Sequence, residues 1–498
     1  MRTYDNPVLA GFHPDPSVCR VGEDYYLVCS SFEYFPALPL FHSRDLVNWR
    51  QIGNVLDRPE QFEVPHDLRA SDGIYAPTIR HHGGRFHVIT TNVGARGTFL
   101  VTADRPEGPW SDPVWIDLPG IDPDLAWDED GTCWSAVAGV GLARIDPVAG
   151  KMLEGPLPVW SGTGMADPEG PHLYRVGAWW YLMVAEGGTA DGHSVSIARA
   201  RTPRGPFEPA PHNPVVSNRS TGLPIQCTGH ADLVRAADGR WWMVLLGTRP
   251  RGFFPKFHVL GRETFLAPVE WVDGWPYVGT VRERYEAPAA LHPFPPEPGR
   301  DDFDAPVLAP HFISPRQRPE WSTAERPGWL TLHATGDSLD RPGHTFVGRR
   351  QQHHDCRVAT RLDGAPGSRA GLSVRMDEAH HYDVEAHDGT VSVLARIGPL
   401  RQCVAQLPVP AGPVTLAVEF RTAAAPPPAE GVRPGGPDTI VFSVESPQGA
   451  ITVAELDGRY LSTQVAGGFT GRVIGMYVTA GSAAFDWFEY RERGPEAR

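Results

Sequence analysis

Three carboxylates and one imidazole stand at comparable points along this chain: Asp15, Asp122, Glu169 and His230. Each opens a short polar start that leads into a strand-like run, a glycine-centred turn and an aromatic-rich strand. Asp15 is clamped between Pro14 and Pro16 in Gly11-Phe-His-Pro-Asp-Pro-Ser17. Each proline ring fixes its own φ at about −65° and restricts the residue before it. The expectation is a rigid, extended run that presents Asp15. A single Asp beside Pro is an ordinary turn former that accepts backbone N–H groups. As a set, three carboxylates with an imidazole suit two chemistries. One is glycoside hydrolysis, which needs a proton donor and a base or nucleophile across the scissile bond. The other is binding of a hard cation. In the hydrolytic reading the general acid must stay protonated near neutral pH, through burial or a neighbouring negative charge. Glu169 takes that role, Asp122 supplies the charge that raises it, and Asp15 stays ionised to activate water.

The elements that must position these groups recur five times. The copies begin at Asp15, Ala76, Asp122, Glu169 and His230, at intervals of 61, 46, 47 and 61 residues. Periods of about 40–50 residues with a hairpin in each unit are those of propeller blades. A secondary repeat agrees: Arg105-Pro-Glu-Gly-Pro-Trp110 and Thr202-Pro-Arg-Gly-Pro-Phe207 fall at matching places in their units. The expected fold is all-β: a five-bladed β-propeller over residues 1–290, a proline-rich linker over 291–305, and a C-terminal β-sandwich over 306–498. Each blade's first strand lines the central channel, so the five starts converge at one end of the axis. Residues 423–437 read as an exposed loop, and Phe485-Asp-Trp-Phe-Glu-Tyr490 as a last packed strand.

With 53 Gly and 51 Pro among 498 residues, long helices are excluded and turns are frequent. The net charge of −14 excludes nucleic acid as a partner, because phosphate binding wants a basic footprint. No apolar run reaches the roughly 18–20 residues that span a bilayer, so a membrane is excluded too. The start, Met1-Arg-Thr-Tyr-Asp-Asn-Pro-Val-Leu-Ala10, has no apolar core of a secretory signal. The six cysteines show no CxxC spacing and read as buried free thiols. Both observations lead to the expectation of a cytoplasmic protein. Self-association is left open.

Aromatic residues beside the carboxylates suit a sugar, whose ring has flat apolar faces. Phe32, in Ser30-Ser-Phe-Glu-Tyr-Phe-Pro36, is expected to wall a pocket that Tyr75 borders. Together with those stretches, His42-Ser-Arg-Asp-Leu-Val-Asn-Trp49, Glu169-Gly-Pro-His-Leu-Tyr174, Gly229-His-Ala-Asp-Leu-Val234 and Leu260-Gly-Arg-Glu-Thr-Phe-Leu266 resemble glycoside hydrolase family 43. The resemblance is to its two-domain β-xylosidase and α-L-arabinofuranosidase branch. Thr345-Phe-Val-Gly-Arg-Arg-Gln-Gln-His353 and the final packed strand extend it into the C-terminal region.

The resemblance implies an inverting exo-glycosidase that releases terminal β-D-xylosyl units from short xylo-oligosaccharides, with α-L-arabinofuranosyl release as the alternative. It assigns Asp15 as general base, Asp122 as the residue that tunes pKa and orientation, and Glu169 as general acid. His230 matches a channel histidine that relatives hold beside a water or a calcium ion. Arg262 matches a substrate-contacting arginine. Phe469, in Gly467-Gly-Phe-Thr-Gly471, matches an aromatic that the sandwich brings to the pocket as it closes over it. No cofactor is required; a calcium ion in the channel is the one metal the resemblance suggests. Tyr75 and Pro168 depart from the branch's usual Trp and Thr, and both bear on which pentose fits. A retaining fructosidase would instead begin with a Trp-Met-Asn-Asp-Pro-like motif. A non-catalytic carbohydrate-binding protein would not need an acid–base pair at equivalent strand starts.

Overall fold

The computed structural model describes residues 2–252, 255–288, 290–422 and 436–494. It divides into two compact units. The first comprises Met1–Pro65, Asp72–Arg249 and Arg262–Phe294, and holds five antiparallel sheets of four or five strands. Their innermost strands are Ser17–Val21, Thr78–His82, Ala126–Trp127, Glu169–Val176 and Gln226–Arg235, one for each repeat read from the sequence. The secondary repeat has one geometry in both copies. Gly108 N–H donates to Arg105 O at 3.0 Å, and Gly205 N–H to Thr202 O at 3.1 Å.

The strands are apolar on both sides because each blade packs against two neighbours. In Trp179–Glu186, Trp180, Leu182 and Val184 meet Trp134 and Leu142 of blade three, while Tyr181 and Met183 meet Leu245 and Phe265 of blade five. Val28 and Val55 pack on Ile79 and Val88 between blades one and two, and Ile89 and Leu100 on Leu125 and Ile145 between two and three. The ring closes where Leu27 of blade one meets Val244 and Leu266 of blade five. The chain's own start fastens that joint. Thr3–Asp5 pairs antiparallel with Arg284–Glu286, and Val8 N–H donates to Thr264 O at 3.0 Å. This is a five-bladed propeller.

The second unit comprises His66–Ser71, Pro250–Gly261 and Pro295–Arg498. Two sheets, one of eight strands and one of six, enclose a core that includes Leu330, Val358, Leu372, Val384, Phe442, Met476 and Phe485. It is a β-sandwich. The last strand, Ser482–Glu492, runs through the middle of the larger sheet. The two early segments join it through backbone groups. Arg472 N–H donates to Val259 O at 3.0 Å, and Arg316 Nε to Leu68 O at 2.5 Å. Of the loop read at 423–437, residues 423–435 lie outside the described residues. All six cysteines are free, and all but Cys403 are buried. Among the described residues no helix is long and apolar enough to cross a membrane.

Candidate active site

Three of the five repeat starts share an unusual backbone. Asp15, Asp122 and His230 have φ of 54°, 54° and 42°. Positive φ is uncommon outside glycine and collects where surrounding structure over-determines it. Asp15 is therefore not the extended residue expected from its flanking prolines. Its left-handed turn swings the carboxylate into a cage of donors that outweighs the proline preference. Ser30 Oγ donates to Oδ2 at 2.5 Å and Arg262 Nη1 to Oδ1 at 3.2 Å, and His230 Nδ1 stands 3.4 Å from Oδ1. The two motif segments run side by side: His13 N–H donates to Arg262 O at 3.1 Å, and Thr264 Oγ1 to His13 O at 2.6 Å. Beneath them Glu263 accepts Gly11 N–H at 3.0 Å and a bidentate pair from Arg249 at 2.7 and 2.8 Å.

Glu169 opens the inner strand of blade four, and the next residue, Gly170, donates its N–H to Asp122 Oδ2 at 3.1 Å. Gly170 has φ of 53°, and a Cβ there would lie 2.8 Å from the His230 ring. Only glycine lets the imidazole close over this turn. Gly229 does the same for His193, whose Cδ2 a Cβ would approach to 2.0 Å. Phe32 is buried, with the Arg262 guanidinium 5.8 Å from its ring centroid and the half-buried Tyr75 ring edge-on at 5.7 Å. Thr189 Oγ1 accepts a second bond from Arg262 Nη1 at 2.9 Å.

Electrostatics separates the carboxyls. Burial alone would raise Asp15, but Arg262, His230 and the Ser30 hydroxyl outweigh it, so its pKa lies below the usual carboxylate value. Burial lifts Glu169 to about 7; Arg262 opposes this, while Asp15 and Asp167 add to it. Asp122 and Glu169 are coupled. Burial, then the charges of Glu169 and Asp15, push the Asp122 carboxyl well above its own ordinary value. Burial also holds both imidazoles neutral, His230 at about 4 and His193 at about 3.

Below this layer the channel is filled by one cation. Arg80 Nη1 donates to Asp232 at 2.8 Å and Nη2 to Asp124 at 2.9 Å, with His172 Nδ1 3.1 Å away. Asp232 also accepts Ser17 Oγ at 2.8 Å and Tyr174 O–H at 2.5 Å. Every blade contributes to this hub, and Ser17, Asp124, His172 and Asp232 lie two or three residues beyond Asp15, Asp122, Glu169 and His230. The channel carboxylates are thus spent on a guanidinium. Among the described residues no three His, Cys, Asp or Glu side chains are grouped to hold a metal ion. His230 itself offers only ring nitrogens, Nδ1 lying 3.4 Å from Asp15 Oδ1, whereas calcium takes oxygen ligands.

The propeller thus brings together Asp15, Asp122, Glu169, His230, Arg262, Phe32 and Tyr75. Phe469 belongs to the sandwich unit, where its N–H donates to Ser71 Oγ at 2.9 Å. Sequence reading missed Ser30, Thr189 and His193. Ser30 lay inside a quoted motif. Thr189 and His193 sit in a glycine-flanked turn with no spacing signal.

A family model described as glycosyl hydrolases family 43 matches residues 4–276, and one described as the beta xylosidase C-terminal concanavalin A-like domain matches residues 300–491. A non-reducing end alpha-L-arabinofuranosidase of Bacteroides ovatus is 40% identical over 519 residues, covering 98% of this chain and 95% of that protein. A xylosidase/arabinosidase of Butyrivibrio fibrisolvens is 34% identical over 521 residues, covering 97% of each. Among solved structures, a xylan beta-1,4-xylosidase from Bacillus halodurans superposes with a TM-score of 0.89 at 31% identity, covering 98% of this chain and 100% of that one.

Proposed function

The chain belongs to the glycosyl hydrolases family 43, and from that premise we propose that it removes terminal β-D-xylosyl units from short xylo-oligosaccharides with inversion at the anomeric carbon. One observation carries the division of labour: two carboxyls of one site are driven in opposite directions, Asp15 below and Glu169 to about 7. Environments that push two pKa values apart separate a base from an acid. Asp15, held ionised by Arg262 and Ser30, takes a proton from the attacking water. Glu169 gives its proton to the departing glycosidic oxygen as the bond breaks. Asp122 fixes the Glu169–Gly170 turn through the Gly170 N–H. Neutral His230 steadies Asp15 without offering a competing charge. Phe32 and Tyr75 form the apolar wall for the sugar ring, and Arg262 orients its hydroxyls.

A second reading, release of α-L-arabinofuranosyl units, is favoured by the printed activity of the Bacteroides ovatus relative. Parallel assays with aryl β-D-xyloside and aryl α-L-arabinofuranoside decide between them, with the first-formed anomer read by proton NMR. The expected product is the inverted sugar. A retained anomer would overturn the mechanism, and no turnover of either glycoside would overturn the function.

A further inference from the structure

The six-stranded sheet of the sandwich has a polar face of its own. Along His380–His387, Tyr382 and Val384 enter the core, so His381, Asp383 and Glu385 share the opposite face. That row is buried where a free sheet face would be wet. It lines a cavity of about 260 Å³, with Asp340, Arg369 and Arg401 among the other walls. The wall groups are fixed in advance. His381 stands between Asp383 at 2.9 Å and Asp340 at 3.1 Å. Arg369 pairs with Glu385 at 2.8 Å, and Arg401 with Asp340 at 3.2 Å. The Asp383 side chain is only 5% exposed, yet its Oδ1 has no hydrogen-bond partner among the described residues. A buried acceptor left unmade is costly and calls for an explanation.

Four carboxylates, with Asp337 the fourth, face Arg369, Arg401 and His381 across this cavity. Near-balanced charge disfavours both a bare anion and a bare cation, and no group of metal ligands is present among the described residues. Alternating fixed donors and acceptors suit a neutral molecule that carries both on adjacent atoms, as vicinal hydroxyls do. The volume falls just under the roughly 300–1,000 Å³ of drug-sized sites, enough for one or two sugar rings. We propose that this cavity is a second carbohydrate site, built wholly from the sandwich unit, which holds a glycosyl unit of a xylan-type glycan. The choice of a xylan-type sugar rests on the function proposed above.

The test is affinity electrophoresis of the full chain in gels containing soluble arabinoxylan, beside kcat/KM on the aryl glycosides. The wild type and the inactive Glu169→Gln variant should both be retarded. Arg369→Ala/Arg401→Ala should migrate as in a sugar-free gel, with kcat/KM unchanged within twofold. Should the double variant fail to fold, Arg401→Ala alone takes its place, since that side chain is half exposed. No retardation of the wild type, or equal retardation of the variant, overturns the site. Retardation without hydrolysis of either glycoside would leave this site standing and sink the catalytic reading.

Discussion

Glu169 and Asp15 should set the two limbs of the pH profile. The active form needs Asp15 ionised and Glu169 protonated. Activity should therefore fall below the depressed Asp15 pKa and again above about pH 7, where Glu169 loses its proton. Glu169→Ala should abolish the alkaline limb. It should also cost about 10²–10⁴-fold on xylobiose, whose leaving group needs a proton. On a dinitrophenyl xyloside, whose leaving group does not, the loss should be slight. Equal losses on both substrates would remove Glu169 from the role of acid. Arg262 donates to Asp15 and lowers both carboxyls, so Arg262→Met should move both limbs to higher pH.

At the scale of elements, the Arg80 hub ties together the strands that carry the carboxyls. Asp124 and Asp232 are fully buried around a single guanidinium. Removing that cation leaves two buried charges uncompensated, and breaking one such pair costs about 3–5 kcal/mol. Arg80→Met should lower the thermal midpoint steeply. Adding Asp124→Asn and Asp232→Asn should recover much of the loss, because the buried charges go with it. A single variant as stable as the wild type would show that the hub does not hold the blades. The hub also marks the limit of what could be read from the chain. Five strand–turn–strand copies were legible, because turn glycines and aromatic strands repeat at blade spacing. Arg80 was not, since one arginine on an otherwise ordinary strand acquires meaning only when four other strands face it. The left-handed Asp15 was hidden for a related reason: local proline rules predict extension, and donors on blade five override them. His66–Ser71 and Pro250–Gly261 are short, and nothing in them announces that they group with the sandwich unit.

For the molecule as a whole, stability should depend on pH through the sandwich. Burial would lower His381, but Asp383 and Asp340 outweigh it and raise its pKa to about 9. A folded pKa above the unfolded value of about 6.5 means that the native state binds the extra proton. That contribution, about 3 kcal/mol, is fully present below about pH 6.5 and is lost as pH rises through about 9. The urea midpoint of the sandwich should fall across this window, and His381→Gln should flatten the fall. An unchanged slope in the variant would assign the dependence elsewhere. The joint between Thr3–Asp5 and Arg284–Glu286 has another consequence, for synthesis. Asp15 is made before Arg262, which orients it, and Thr264, which pins His13, since both of those belong to the last blade. A nascent chain carries its proposed base for some 250 residues of translation before the site that gives it a purpose exists. Catalytic competence is thus a late event, and an incomplete propeller released early has no partial activity to misdirect.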